Sequence, residues 1–202
     1  TVHIGNYGVK ETDVESSSVK IHALIARNLE DQYSRHQANQ DLNAYLIQNN
    51  IVAIDGIDTR ALVAHIRTEG AMNCIISSED LSVEELKARL KEVPSMDGQE
   101  LASKVSTTSE YELGDPASPI KVSVLDFGVK QHILQCLVSR GAHIRVHPAK
   151  TPLSRLKEFN PDGYFISNGP GDPAAMPYAV ETLKEILKEN KPVFGICLGH
   201  QL

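Results

Sequence analysis

The chain has little positive charge and no long apolar run. Its 20 lysines and arginines are outnumbered by 26 aspartates and glutamates, and the net charge at pH 7 is −6. The basic residues are scattered, so the charged patch that nucleic-acid-binding proteins carry is missing. No run of about 18 apolar residues occurs, which argues against a transmembrane helix. We therefore expect neither a nucleic acid nor a membrane to be a partner of this chain.

Cysteine is also scarce. The three cysteines, Cys74, Cys136 and Cys197, lie far apart in the sequence. An odd number at wide spacing does not suit a framework of disulfides, and it favours a reducing compartment. No Cys-x-x-Cys pair or Cys/His cluster indicates a metal site. No signal peptide is recognisable either, so we expect a cytoplasmic protein without a bound metal.

The pattern of apolar residues divides the chain into three regions. Residues 1–104 mix short strands, loops and helices, which predicts a smaller mixed α/β domain. Residues 105–119 are rich in Ser, Thr, Pro and Gly, and we interpret them as an interdomain linker. Residues 120–202 alternate between strands and helices, as expected for a parallel, doubly wound α/β sheet with right-handed crossovers. Loops at the carboxyl ends of such strands are expected to carry the function.

Apolar periodicity and capping signals predict the individual elements. In the first region these are the strands Val19–Ile25, Ile51–Ile54 and Met72–Ile76 and the helices Asn39–Asn49 and Asp58–Arg67. Ser82 and Glu85 have capping-box spacing and predict the start of a further helix. In the third region they are the strands Lys121–Asp126, His143–His147, Gly163–Ser167 and Pro192–Cys197, with helices near 129–140, 151–159 and 175–189.

Cys197 is the first candidate for chemistry. The apolar run Pro192–Ile196 is typical of a buried strand, and Gly195 and Gly199 lie two residues on either side of the cysteine. This pattern predicts a strained strand-to-helix turn, a nucleophile elbow, that holds a side chain clear of the backbone. The unpaired N–H groups at the start of the following helix would favour a thiolate. The alternative is a buried structural cysteine, which is the ordinary role of a free cysteine.

The run Ser167–Pro173 (Ser-Asn-Gly-Pro-Gly-Asp-Pro) is the second candidate. It leaves the carboxyl end of a predicted strand, on the same edge of the sheet as Cys197. Its two glycines and two prolines fix a loop whose backbone can approach a ligand closely, so its N–H groups are candidate oxyanion donors. The alternative is a tight turn before a helix, with Asp172 and Pro173 as start signals. The run is not a P-loop, because no Gly-Lys-Ser/Thr follows it.

A base for the cysteine is not evident. A cysteine that attacks an amide needs a base, and the leaving amine needs a proton. His200 lies one helical turn after Cys197, and we do not expect this spacing to make a catalytic pair. His132, His143 and His147 lie in the predicted sheet region, and nothing in the sequence directs them to the thiol.

The remaining motifs are assigned structural roles. Cys136 lies beside the apolar face of a predicted helix and Cys74 lies in a short apolar run, so both are expected to be packing residues. The run Asp126-Phe127-Gly128 matches the Asp-Phe-Gly motif of protein kinases, but the chain lacks the catalytic loop and the Gly-rich loop of that family. A simple turn between strand and helix is therefore expected. It offers no Gly-x-Gly-x-x-Gly for a dinucleotide.

Two of these runs together resemble the signatures of the class I glutamine amidotransferases, namely Gly195–Gln201 and Ser167–Pro173. The first half of the chain makes the resemblance more specific. His3–Gly8, Glu15–Ser17 and Gly56–Arg60 are similar to the amino-terminal domain of carbamoyl-phosphate synthetase small subunits. Other amidotransferases of the class lack such a domain, and the resemblance runs through the whole chain.

The resemblance implies roles for five residues. Cys197 would attack the side-chain amide of glutamine, form a glutamyl thioester and release ammonia. The backbone N–H groups of Gly169 and Leu198 would form the oxyanion hole. Gly171 and Gln201 would help to hold the glutamine.

The resemblance also implies a partner. The ammonia would pass to a large synthetase subunit, which uses ATP and bicarbonate to make carbamoyl phosphate for arginine and pyrimidine synthesis. ATP and Mg²⁺ are expected on that subunit, and no cofactor is expected in this chain. The family's catalytic His and Glu lie downstream of the elbow, and its amino-terminal domain begins before Thr1. We therefore expect a fragment lacking both ends, in which 120–202 is the first half of the amidotransferase domain.

Two other hypotheses stay open. The chain could belong to another enzyme with a cysteine elbow, such as a different amidotransferase, but residues 1–104 would then have no assigned role. It could instead be a non-catalytic domain that docks a large partner, in which Cys197 has no chemical importance.

We predict that the 202-residue polypeptide alone does not hydrolyse glutamine at a useful rate, because the expected base is not among its residues. A steady-state glutaminase assay on the isolated polypeptide, with the intact enzyme as control, measures this. Turnover near that of the intact enzyme would contradict the prediction.

Overall fold

The computed structural model describes residues 8–14, 18–30, 32–70 and 72–202. They form two compact units, Thr1–Ser95 and Met96–Leu202. Glu15–Ser17 and residues 3–7 of the run His3–Gly8, which carry part of the resemblance, lie outside the described residues. Within the described ranges, no helix is both long and apolar enough to cross a membrane.

The first unit contains a pair of parallel strands and several helices. Strand β1 (Ala23–Ile25) pairs in parallel with β2 (Val52–Ile54). The helices are α1 (Leu42–Gln48), α2 (Thr59–Glu69) and α3 (Val83–Lys91), and a short 3₁₀ turn covers Glu11–Asp13. The predicted helices are confirmed in this unit, with ends that differ by a few residues.

Side-chain caps determine where these helices begin. A side-chain oxygen of Asp41 accepts a hydrogen bond from the N–H of Ala44 (3.0 Å), and Asp58 caps α2 in the same way. The predicted capping box is present, because Ser82 Oγ accepts from the N–H of Glu85 (3.3 Å) and Glu85 accepts from the N–H of Ser82 (2.8 Å). Each bond satisfies a donor that a helix start leaves without a partner.

The strand predicted at Met72–Ile76 is not formed. These residues have no regular secondary structure. The last three of them, Cys74–Ile76, line a cavity of about 500 Å³ together with Ile21, Ala23 and Val52. Their apolar pattern therefore reflects side-chain contact beside β1 and β2, without the backbone hydrogen bonds that make a strand.

The second unit is built on a five-stranded, mostly parallel sheet. Its strands are β3 (Tyr111–Leu113), β4 (Ile120–Asp126), β5 (Ala142–Pro148), β6 (Gly163–Ile166) and β7 (Val193–Gly195), in the spatial order β3-β5-β4-β6-β7. Only β3 runs antiparallel to its neighbour. The helices are α4 (Ala102–Val105), α5 (Gln131–Val138), α6 (Leu153–Lys157), α7 (Pro177–Lys188) and α8 (Leu198–Gln201). The predicted α/β class is confirmed.

Both faces of the central strands of this sheet are buried. Successive residues of a strand point to opposite faces, so Val124 and Phe165 join the cluster under α5, whereas Leu125 and Ile166 join the cluster under α6 and α7. A parallel sheet needs this cover on both faces. The carboxyl ends of the parallel strands β4, β6 and β7 lie at the same edge of the sheet, where loops can form a site.

The segment predicted to be a linker, 105–119, belongs to the second unit. The units divide between Ser95 and Met96, and β3 within the segment pairs with β5 in the register Tyr111 to Val146. Its Ser, Thr, Pro and Gly residues form the turns on either side of β3. Local composition indicates turns equally well in a linker and beside a short edge strand, so it could not distinguish the two.

Charged side chains join β3 to the rest of the second unit. Glu110 accepts hydrogen bonds from Arg155 (3.0 Å) and lies 3.1 Å from Nδ1 of the fully buried His147. The bond from Arg155 lowers the pKa of Glu110. Burial lowers the pKa of His147, and the nearby Glu110 opposes this shift. Nε2 of His147 has no hydrogen-bond partner, so a second ring proton would be unpaired.

The lowered pKa of His147 predicts a loss of stability in mild acid. The unfolded chain binds a proton at this residue below about pH 6.5, whereas the folded chain does not until a lower pH. The free energy of unfolding should therefore fall between about pH 7.5 and about pH 5.5. His147→Gln should make that fall smaller, as measured by urea unfolding at both pH values. His132→Gln, at an exposed position on α5, is the control, and an unaltered fall in His147→Gln would disprove the prediction.

Candidate active site

Cys197 lies at a strained turn between β7 and α8. Its backbone has φ 52° and ψ −113°, a left-handed conformation that is uncommon for a residue other than glycine. The side chain is exposed, although Leu198, the next residue, is only 1% exposed. The turn therefore holds the thiol in solvent, as the elbow pattern predicts, and the cysteine is not buried in the core. Such strain is frequent at functional sites.

The elbow packs directly on the backbone at the end of β6. A Cβ on Gly199 would overlap the carbonyl groups of Ile166 and Ser167, and one on Gly195 would overlap the carbonyl of Gly199. The N–H of Gly199 donates to the carbonyl of Ser167 (3.1 Å), and the N–H of Ile196 donates to that of Ile166 (3.1 Å). Only glycine at these two positions allows so close an approach.

The loop Ser167–Pro173 begins where β6 ends and lies against the turn after β4. Ser167 Oγ accepts from the N–H of Phe127 (2.8 Å), and Asn168 Nδ2 donates to the carbonyl of Gly128 (2.9 Å). A Cβ on Gly169 would overlap the carbonyl of Phe127. The position of Gly169 is therefore determined by the backbone of the neighbouring turn.

The other end of the loop is held by residues 98–101. The N–H of Asp172 donates to the carbonyl of Gln99 (3.1 Å), and the Asp172 carboxylate accepts from the N–H groups of Gly98 (2.9 Å) and Ala174 (2.9 Å). These two bonds lower the pKa of Asp172, that from Gly98 contributing most. Gly171 has φ 107°, a conformation that favours glycine. Asp172 also begins a 3₁₀ turn at Pro173, as the start signals predicted.

The five residues singled out from the sequence lie on two adjoining segments. Gly169 and Gly171 lie on the loop after β6. Cys197 immediately precedes α8, and Leu198 and Gln201 are the first and last residues of that helix. The side chain of Leu198 packs in the core, so only its backbone can serve the site. Its N–H is at the first position of α8, where a helix offers no internal acceptor. Gln201 is exposed.

Two of the three histidines in the sheet region pair with carboxylates, and the third, His132, is exposed on α5. His143 Nε2 lies 2.8 Å from Glu112, and His147 Nδ1 lies 3.1 Å from Glu110, both beside β3. His200 is exposed on α8, and its backbone N–H donates to the carbonyl of Cys197 (2.9 Å). The sequence left the base unassigned, and this arrangement does not supply one. In the part of the chain that the structure describes, no group of three or more His, Cys, Asp or Glu could hold a metal ion.

Sequence reasoning missed the part played by Asp126. Its carboxylate is 4% exposed and accepts from the N–H groups of Thr107 (2.7 Å), Gly128 (2.8 Å) and Val129 (2.7 Å). The signal was available, because an Asp at the end of a strand with Gly two residues later is typical of a turn that the Asp side chain closes. No signal pointed to Gln99, whose contact with the loop spans more than 70 residues of sequence.

Two family models match separate parts of this chain. Residues 123–202 match the model described as "Glutamine amidotransferase class-I". Residues 1–76 match the model described as "Carbamoyl-phosphate synthase small chain, CPSase domain". The elbow and the mostly parallel sheet lie within the first match, so residues 123–202 are similar to class I glutamine amidotransferases in both sequence and fold.

Similar proteins narrow the assignment further. Each of three relatives is called "Carbamoyl phosphate synthase small chain". The one from Synechococcus sp. is 44% identical over 98% of this chain and 54% of the relative. The one from Pyropia yezoensis is 42% identical over 98% of this chain and 56% of the relative. The one from Pseudomonas putida is 44% identical over 99% of this chain and 57% of the relative. The chain is similar to carbamoyl phosphate synthase small chains over nearly all of its own length, and it spans about half the length of the curated relatives it matches.

The close contact at Gly199 predicts a large effect of one methyl group. Gly→Ala inside a helix with free space usually stabilises by roughly 0.5–1 kcal/mol. Gly199→Ala should instead destabilise by about 3 kcal/mol, because the elbow must move off β6. Urea unfolding measures this. Gly141→Ala is the control: it has a positive φ but no atom within 4 Å of the added Cβ, and should cost only about 1–2 kcal/mol. Equal losses in the two variants would be inconsistent with this contact.

Proposed function

We propose that the protein containing this chain is the glutaminase subunit of a carbamoyl-phosphate synthetase. It hydrolyses glutamine through a cysteinyl thioester and delivers the ammonia for carbamoyl phosphate synthesis. The observation that carries the proposal is the exposed thiol of Cys197 on a strained elbow, packed against the glycine-rich loop after β6. The matches to both family models support the same assignment.

The chemistry begins with the Cys197 thiolate. Its sulfur attacks the carboxamide carbon of glutamine, and the carbonyl oxygen becomes an oxyanion. The backbone N–H groups of Gly169 and Leu198 donate to that oxyanion, and one such donor is worth about 10²–10³ in kcat in other acyl-transfer enzymes. The carbon–nitrogen bond then breaks, and the nitrogen leaves as ammonia after gaining a proton. Water hydrolyses the thioester to glutamate and restores the thiol.

Gly171 and Gln201 hold the substrate in this scheme. Gly171 bends the loop in a left-handed conformation, and its backbone lies close to that of Gln99 and Leu101. Gln201 follows Cys197 by one helical turn, and its N–H donates to the carbonyl of Cys197 (3.0 Å). Its exposed amide is therefore carried on the same rigid turn as the nucleophile.

The ammonia is used by a partner. The name "small chain" of the relatives implies a large chain, and we assign to it the ATP, Mg²⁺ and bicarbonate chemistry that makes carbamoyl phosphate. The first unit would be the domain specific to small chains, and residues 120–202 of the second unit would be the first half of the amidotransferase domain. The three free cysteines support a cytoplasmic location, where thiols stay reduced.

The test is Cys197→Ser in the full-length protein assembled with its large chain. Glutamine-dependent carbamoyl phosphate synthesis should fall on the order of 10³-fold or more, because the nucleophile is lost. Synthesis from added ammonia should be unchanged, since that step needs no glutaminase. Cys74→Ser, at an exposed thiol outside the elbow, is the matched control and should keep both activities. Full glutamine-dependent activity in Cys197→Ser would rule the proposal out.

An electrophilic glutamine analogue separates this function from a docking role. The analogue should label Cys197 in the intact protein and spare Cys74, although both thiols are exposed. Peptide mass spectrometry locates the label. Equal labelling of the two cysteines would point to a chain that only docks a partner.

A further inference from the structure

A buried carboxylate beside the glycine-rich loop has no role in the scheme above. Asp126 ends β4, the strand that neighbours β6, and is 4% exposed. Its oxygens accept three hydrogen bonds, all from backbone N–H groups: Thr107 on one oxygen and Gly128 and Val129 on the other. The carboxylate therefore determines the path of the main chain immediately after β4.

The main chain of Phe127 and Gly128, immediately after β4, contacts the glycine-rich loop Ser167–Pro173. The N–H of Phe127 donates to Ser167 Oγ (2.8 Å), and the carbonyl of Gly128 accepts from Asn168 Nδ2 (2.9 Å). The carbonyl of Phe127 leaves no space for a side chain at Gly169. A shift of the turn would therefore be transmitted directly to Gly169.

We propose that Asp126 is a positioning residue that aims the backbone N–H of Gly169 at the developing oxyanion. This inference rests on the proposed function. Asp126 acts through the turn at Phe127 and Gly128. An oxyanion exists only after the thiol has attacked, so a misplaced donor weakens the transition state more than bound glutamine. Loss of Asp126 should therefore lower kcat and leave the KM for glutamine nearly unchanged.

The experiment uses the full-length protein in complex with its large chain. Asp126→Ala removes both acceptor oxygens and with them all three hydrogen bonds. We expect the kcat for glutamine hydrolysis to fall about 10–100-fold with KM within about 3-fold. Asp126→Asn keeps one acceptor oxygen for Gly128 and Val129, and should recover kcat to within about 5-fold of wild type. Synthesis from added ammonia should be unchanged in both variants.

An aldehyde analogue of glutamine supplies a readout that a purely structural role would not change. Cys197 adds to the aldehyde to form a thiohemiacetal, whose oxygen occupies the position of the oxyanion. In Asp126→Ala the affinity for this aldehyde should fall by the same factor as kcat/KM. In Asp126→Asn it should recover with kcat.

Asp162→Ala is the matched control. The Asp162 carboxylate also accepts from a backbone N–H of β4, that of Lys121 (2.8 Å), but at the opposite end of the strand from the site. Its loss should lower the urea midpoint without changing kcat or the aldehyde affinity. If Asp126→Ala does not assemble, Asp126→Ser, with one acceptor oxygen, is measured in its place and should show a fall in kcat at unchanged KM.

The outcomes separate the two proposals. No glutamine hydrolysis by the wild-type complex would overturn the proposed function, and this inference with it. Normal hydrolysis by wild type, with kcat in Asp126→Ala or Asp126→Ser no lower than in Asp162→Ala, would overturn the role of Asp126 alone. A rise in KM without a fall in kcat would likewise contradict it, because it would place the effect on substrate binding.

Discussion

The candidate site depends on a direct contact between two stretches of backbone. Gly199, in the first turn of α8, lies so close to the carbonyl groups of Ile166 and Ser167 that no side chain fits between them. This contact brings the elbow of Cys197 and the loop after β6 to the same edge of the sheet. The left-handed conformation of Cys197 is maintained because the residues on both sides of it are packed or hydrogen-bonded.

Carboxylates that accept hydrogen bonds from backbone N–H groups hold the glycine-rich loop from two sides. Asp126 holds the turn on which the loop begins, and Asp172 ties the end of the loop to Gly98. A loop made of glycine and proline has few side chains with which to fix its own position. Its precision must come from neighbours, and here those neighbours are main-chain groups oriented by the two aspartates. A donor that must point at a developing charge benefits from such preorganisation.

Much of the fold could be predicted from local patterns. The strand–helix alternation after residue 119 and the capping box at Ser82 both agree with the structure, because each depends on residues near in sequence. The strand expected at Met72–Ile76 and the linker expected at 105–119 differ from it. Whether an apolar run pairs as a strand depends on a partner distant in sequence, and the pairing of β3 with β5 is such a case.

Local sequence patterns are enough to identify the chemical groups that this chain offers: a cysteine between glycines after a buried strand, and a loop rich in glycine and proline after another. These are local requirements of backbone conformation, and residue types reveal them. The folded structure is needed to show that the two segments touch, that His143 and His147 pair with carboxylates beside β3, and that Asp126 supports the loop. Those relations join residues far apart in the chain, and they follow from the order in which the strands pair.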